Sequence, residues 1–139
     1  MQPTKPLDAP NAARNRLTQA VIGCAIQVHR TLGPGLLEPA YEACLAFELD
    51  HDGIAHVRQQ KLPPSCKGNA LNCDLRADMV VADKLIVEVK SVQQLLPVHE
   101  AQLLTYLKAS GLHLRLLLNF NETVLRNGIR RRVLDLPPD

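Results

Sequence analysis

The chain has 139 residues, 46% hydrophobic and 22% charged, a length and balance that suit one domain with its own core and exclude a largely disordered chain. Sixteen Lys and Arg against fourteen Asp and Glu leave a net charge of +2, which excludes a polybasic protein, so any nucleic-acid contact must come from local clustering. Aromatic residues make up 3% and Trp is absent, so the core must be built from Leu, Val, Ile and Ala, and an aromatic platform for single strands is all but excluded.

No stretch approaches the roughly 18 apolar residues of a membrane span, and Met1 to Arg16 lack the apolar run of a signal peptide. The expectation is a cytoplasmic protein with no membrane contact. Cys24, Cys44, Cys66 and Cys73 form no CxxC pair, and Cys24 and Cys44 fall on apolar helix positions; they read as reduced thiols that bind no metal.

Residues 1–13 carry Pro3, Pro6 and Pro10 without periodicity and read as a flexible tail; residues 14–136 read as one domain. From Arg14 a helical stripe runs through Leu17, Val21, Cys24, Val28 and Leu32, and Gly33-Pro34-Gly35 ends it. A second helix follows, with Pro39 in its first turn, Tyr41, Leu45 and Leu49 on one stripe, and a close near Asp52-Gly53. Pro39 biases Glu38 out of the α conformation and toward the N-cap.

The period then changes. Ile54–Gln60 reads as a short strand and Lys61–Gly68 as a loop or sheet edge. Leu71–Lys90 reads as a β-hairpin around Asp83. Pro97 starts a helix that reaches about Ser110, with Gly111 as its stop. Leu112–Phe120 is a strongly apolar strand, Asn121–Gly128 a polar turn, and Ile129–Leu134 a last strand before Pro137-Pro138. The order α-α-β-β-β-α-β-β predicts an α/β domain with a mixed central sheet flanked by helices.

The hairpin carries the strongest chemical signal. With a three-residue loop (Ala82, Asp83, Lys84), Val81 faces Leu85, Met79 faces Val87 and Ala77 faces Val89, which makes one face wholly apolar. The same register sets Asp78 opposite Glu88, with Cβ atoms about 4.5–5.5 Å apart. A two-residue loop scrambles that apolar pairing, so the hydrophobic pattern selects the register that unites the carboxylates. Lys90 shares the face of Glu88. Two carboxylates this close repel unless a cation lies between them, and oxygen ligands on a rigid hairpin suit Mg²⁺ or Mn²⁺. From spacing alone the alternative stays open: a solvated face on which Asp78, Glu88, Lys90 and Arg76 form cross-strand ion pairs.

On the following helix, His99, Gln102 and Tyr106 lie along one side, and Val98, Ala101, Leu104 and Leu107 form the expected anchoring stripe. The Gln/Tyr edge then borders the carboxylate face; the competing role is a local cap for Gln102 and a core position for Tyr106.

Asp78, Glu88-x-Lys90 and Gln102-x-x-x-Tyr106 together resemble the PD-(D/E)XK nuclease superfamily with the Gln-x-x-x-Tyr element of RecB-type members. Gly35-x-x-Glu38-x-x-Tyr41 resembles the signature of the GxxExxY proteins, a bacterial branch of that superfamily. The similarity runs from about Leu17 to Arg132. The resemblance implies a restriction-endonuclease-like core, Asp78 and Glu88 as metal ligands, Lys90 as the catalytic lysine, and Glu38 as a further metal-site residue with Glu42 as its alternative. It implies that Gln102 and Tyr106 contact nucleic acid, to which Arg76 and His99 are added as candidate contacts. The implied activity is hydrolysis of phosphodiesters, of DNA before RNA, with one or two Mg²⁺ or Mn²⁺ ions. Ala77 stands where the wider superfamily often has proline before the aspartate.

Arg126, Arg130, Arg131 and Arg132 form a basic stretch in which Arg131 faces away from Arg130 and Arg132; it reads as a charge-protected edge strand, with phosphate binding as the alternative. His29, His51, His56 and His113 show no ligand spacing. Two other functions stay open: a catalytically weak nuclease-like module that binds nucleic acid or works with a partner protein, and a homodimer whose charged hairpin is plain surface.

Overall fold

The computed structural model describes residues 9–63, 65–71 and 75–133. The expected tail up to residue 8, Cys73, and the stop at Pro137-Pro138 lie outside them.

The first helix, α1, spans Ala9–Leu32 and so begins ahead of Arg14. Pro10 falls in its first turn, where a missing N–H leaves no helical bond unmade. The second, α2, spans Glu38–His51 with Leu37 at the N-cap, which corrects the cap position expected for Glu38. Proline disfavours but does not forbid α geometry before it, and at the second helical position its ring meets no preceding turn.

Among the described residues, seven strands follow the first two helices. They are β1 (His56–Lys61), β2 (Ser65–Cys66), β3 (Asn69–Ala70), β4 (Arg76–Val81), β5 (Leu85–Lys90), β6 (Leu114–Asn119) and β7 (Ile129–Val133). The third helix, α3 (Pro97–Ser110), links β5 to β6, and a 3₁₀ turn over Leu125–Gly128 leads into β7. Gly111 ends α3 in the left-handed region at φ 73. The strand β2 falls within the expected loop Lys61–Gly68 and its partner β3 just after it; strands of two residues carry no readable periodicity.

One sheet runs in the order β1-β4-β5-β6-β7, with β5 and β6 parallel across α3 and the other neighbours antiparallel. A crossover helix between parallel strands buries one sheet face, and α1 and α2 bury the other. Val21, Val28, Tyr41, Leu45 and Leu49 pack on Met79, Val81, Leu85, Val87 and Val89. On the opposite side Leu103 and Leu107 pack on Val80, Ile86 and Leu117. This is the mixed α/β architecture of the restriction-endonuclease-like fold.

Of the stripe expected on α3, Leu107 is buried and the other three residues are not. Leu103 and Leu107 are buried, whereas Val98 is 55% and Leu104 39% exposed, and Ala101 faces solvent. The helix carries leucines on more than one side, and spacing alone selects between them poorly. Polar contacts accompany this orientation: the buried Arg115 of β6 donates from Nη1 to the Glu100 carbonyl at 2.8 Å, and Arg132 of β7 pairs with the Glu100 carboxylate at 3.5 Å. Arg131 points the other way and bonds Asn15 of α1, so the arginines do alternate across an edge strand. No helix of the described residues is long and apolar enough to cross a membrane.

Candidate active site

The hairpin turn has the expected three residues. Ala82 and Asp83 both take positive φ, 52 and 54, and the Lys84 N–H closes the turn on the Val81 carbonyl at 3.0 Å. Val81 pairs with Leu85, Val80 with Ile86 and Met79 with Val87, the register selected by the hydrophobic pattern. Beyond Met79 and Val87, side chains stand in for backbone acceptors. The Asp78 N–H donates to Glu88 Oε1 at 2.9 Å, and the Val89 N–H donates to Asp78 Oδ2 at 2.8 Å.

Alternation also fails at this point. Met79 lies in the cluster under α1 and α2 but Ala77 in the cluster under α3, so Ala77 does not share a face with Val89 as expected. The partner strand marks the same position: Gln59 stands between Arg58, paired with Met79, and Gln60, paired with Ala77, and has φ 51. A left-handed residue interrupts the pleat. Asp78 therefore stands at a twist of the sheet.

Glu88 is 5% exposed. Burial first, then the neighbouring Asp78 charge, push its carboxyl from 4.5 up to about 8; a side-chain hydrogen bond with Asp78 adds to this, while the Asp78 backbone N–H and the Lys90 ammonium act the other way. Tyr106 on α3 borders the same pair: burial, then the charges of Glu88 and Asp78, raise its phenol. Asp78, Glu88, Lys90 and Tyr106 are thus electrostatic neighbours.

From the other layer, Glu38 and Glu42 of α2 join Pro39, Gln59, Asp78 and Val89 in lining a cleft of about 150 Å³. The α1–α2 loop that delivers Glu38 is tightly latched. Gly35 has φ 98, a conformation that side chains resist. The Tyr41 hydroxyl donates to the Gly33 carbonyl at 2.6 Å and accepts from the Leu36 N–H at 3.0 Å, while its ring stacks on Phe120 at 4.6 Å. Ser91, next to Lys90, donates its N–H to Glu38 Oε1 at 3.3 Å and its hydroxyl to the Leu36 carbonyl at 2.5 Å. The glycine, the glutamate and the tyrosine of the motif thus act as one device: a turn, a delivered carboxylate and a clamp.

Glu42 is buried and held by Arg58, whose Nε and Nη2 donate to Oε2 at 3.0 and 2.7 Å, and by Gln59 Nε2, which donates to Oε1 at 2.6 Å. The second bond of Gln59 Nε2 reaches Asp78 Oδ1 at 3.4 Å. On the opposite flank the fully buried Asn119, paired with Lys90 across β5 and β6, accepts from the Val92 N–H at 3.0 Å and donates to the Val92 carbonyl at 2.9 Å. Gly128 lies so close beneath it that a Cβ would meet the Asn119 carbonyl at 2.3 Å. Sequence reasoning missed Gln59, Ser91 and Asn119. A single polar residue beside a strand carries no periodic signal, and only the fold shows what it touches.

The remaining candidates lie further out. The His99 ring accepts the Leu96 N–H at Nδ1, 2.9 Å, so that nitrogen caps α3. Gln102 is exposed on α3 and Arg76 exposed at the start of β4. Cys24, Cys44 and Cys66 are free thiols; burial first, then Asp52, push Cys24 up to about 12.

Among the described residues, no group of three or more His, Cys, Asp and Glu is placed to hold a metal ion. The acid pair nevertheless fits a hard divalent cation. One oxygen of each carboxylate is engaged by a strand amide, the second oxygens are hard donors, and the unfavourable closeness of two acids is what a cation relieves.

A mixed sheet that sets a buried glutamate against a half-buried aspartate, beside a lysine where two central strands diverge, is the frame of a nuclease-like class of domain. The profile of the PD-(D/E)XK nuclease superfamily matches residues 15–132, and the chain belongs to that superfamily. No curated protein and no solved structure gives a significant match.

Proposed function

We propose that the protein is a divalent-metal-dependent nuclease of the GxxExxY branch, with DNA as its substrate and Mg²⁺ or Mn²⁺ as its ion. The observation that carries this reading is the Asp78–Glu88 pair, two acids held together by reciprocal bonds to strand amides with the Lys90 ammonium beside them. Asp78 and Glu88 are the residues to hold the ion, with Glu38 lining the same cleft as Asp78. A bound divalent ion supplies Lewis-acid polarisation of a phosphate and a lowered pKa for an attacking water. Lys90 offsets charge that develops on the phosphate oxygens, and Glu88 must give up its proton for the ion to enter. Tyr106 and the more exposed Gln102 border the approach of the nucleic-acid backbone; Arg76 and His99 extend that approach, His99 through the side of its ring not engaged in the cap.

The test is incubation of purified protein with single- and double-stranded DNA and RNA in Mg²⁺ or Mn²⁺, beside calorimetric metal titration. Asp78→Asn is expected to abolish metal binding and cleavage, and Lys90→Ala to keep the ion while losing cleavage. A folded protein that binds nucleic acid with an affinity indifferent to metal and cuts none of these substrates would instead be the nucleic-acid-binding module.

A further inference from the structure

Gln59 is a residue with no place in the acid–lysine constellation, yet it touches it. Its backbone takes φ 51, a left-handed conformation unfavourable for a residue that carries a Cβ. It interrupts the pleat of β1 directly opposite Asp78, and its amide nitrogen donates to two carboxylates, Glu42 at 2.6 Å and Asp78 Oδ1 at 3.4 Å. Glu42 is itself clamped by Arg58 from the neighbouring position on the strand. A chain of bonds thus runs from Arg58 through Glu42 and Gln59 to the one Asp78 oxygen that no strand amide holds.

From this juxtaposition we infer that Gln59 is a positioning residue, which aims Asp78 Oδ1 into the cleft and keeps the Glu42 carboxylate off it. The inference rests on the metal-site reading above and deepens it. A strained conformation persists where surrounding contacts over-determine it, and here the contacts are those two carboxylates. An amide side chain suits this role because its NH₂ group bridges two acceptors without adding charge. Outer partners of a metal ligand commonly govern affinity by 10–100-fold.

Mn²⁺ titration of the wild type, Gln59→Met and Gln59→Gly, with thermal denaturation of each, tests this. Methionine keeps the length without the donor. Glycine removes the donor but also relieves the strained φ, so it is not expected to lower Tm as methionine does. Both variants should bind Mn²⁺ about ten-fold or more weaker than wild type. Adding Glu42→Gln to Gln59→Met should recover part of the loss, because the repelling charge is gone. Wild-type affinity in both folded single variants overturns the positioning role alone. A wild type that binds no Mn²⁺ overturns the metal-site reading and this inference with it.

Discussion

Glu88 lies on a central strand with its carboxyl pushed up to about 8 by burial and by Asp78, so at neutral pH the metal-free protein holds a proton there that the unfolded chain has released. Folding therefore takes up a proton between the ordinary value of 4.5 and about 8, and in that window rising pH destabilises the fold. The contribution is full below 4.5 and lost as pH passes through about 8. Thermal denaturation of metal-free protein across this range should show Tm falling with pH, and Glu88→Gln, which cannot ionise, should flatten that part of the curve. A slope unchanged in the variant would place the titrating group elsewhere. The closeness of Asp78 to Glu88 was legible in the sequence from the three-residue loop and the register it sets through Met79 and Val87; the loss of alternation at Ala77 and the side-chain bonds to strand amides that complete the pair were not. The burial that holds Glu88 protonated was not, because it depends on α3 packing across the strand.

At the level of elements, the helices and long strands were readable because each must bury one stripe, and caps and prolines mark their ends. Gly111 stops α3 and Gly33 follows α1 as read. What spacing failed to select was which stripe of α3 goes inward. The helix is apolar on more than one side; Leu107 of the expected stripe is buried, but its companion is Leu103, on a helix that Arg115 and Arg132 tie through Glu100 to β6 and β7. Truncation separates the two stripes: Leu103→Ala is expected to cost about 2–5 kcal/mol in urea denaturation, and Leu104→Ala within about 0.5 kcal/mol. Equal losses would contradict the observed orientation. The ribbon β2–β3 and the pleat reversal at Gln59 escaped the sequence for a related reason, as both are too short for a period to form.

For the whole molecule, the proposed metal site would couple ion binding to folding, because a site assembled from α2, β4 and β5 exists only in the folded chain. An ion at about a hundred times its dissociation constant adds about 2.7 kcal/mol to stability. Mg²⁺ or Mn²⁺ should therefore raise Tm in a concentration-dependent way in the wild type and in Lys90→Ala, and leave Asp78→Asn unmoved. A rise of equal size in Asp78→Asn would mean that the ion binds elsewhere.

The amino-acid sequence by itself determined the α/β order, the hairpin register and the meeting of Asp78 with Glu88, since these follow from periodicity and pairing between neighbours along the chain. The tertiary structure alone decided that Glu38 reaches the same cleft, that Glu42 is held by Arg58 and Gln59, and which face of α3 is buried. Those outcomes depend on contacts between segments distant in sequence, and local patterning carries no information about the far side of such a contact.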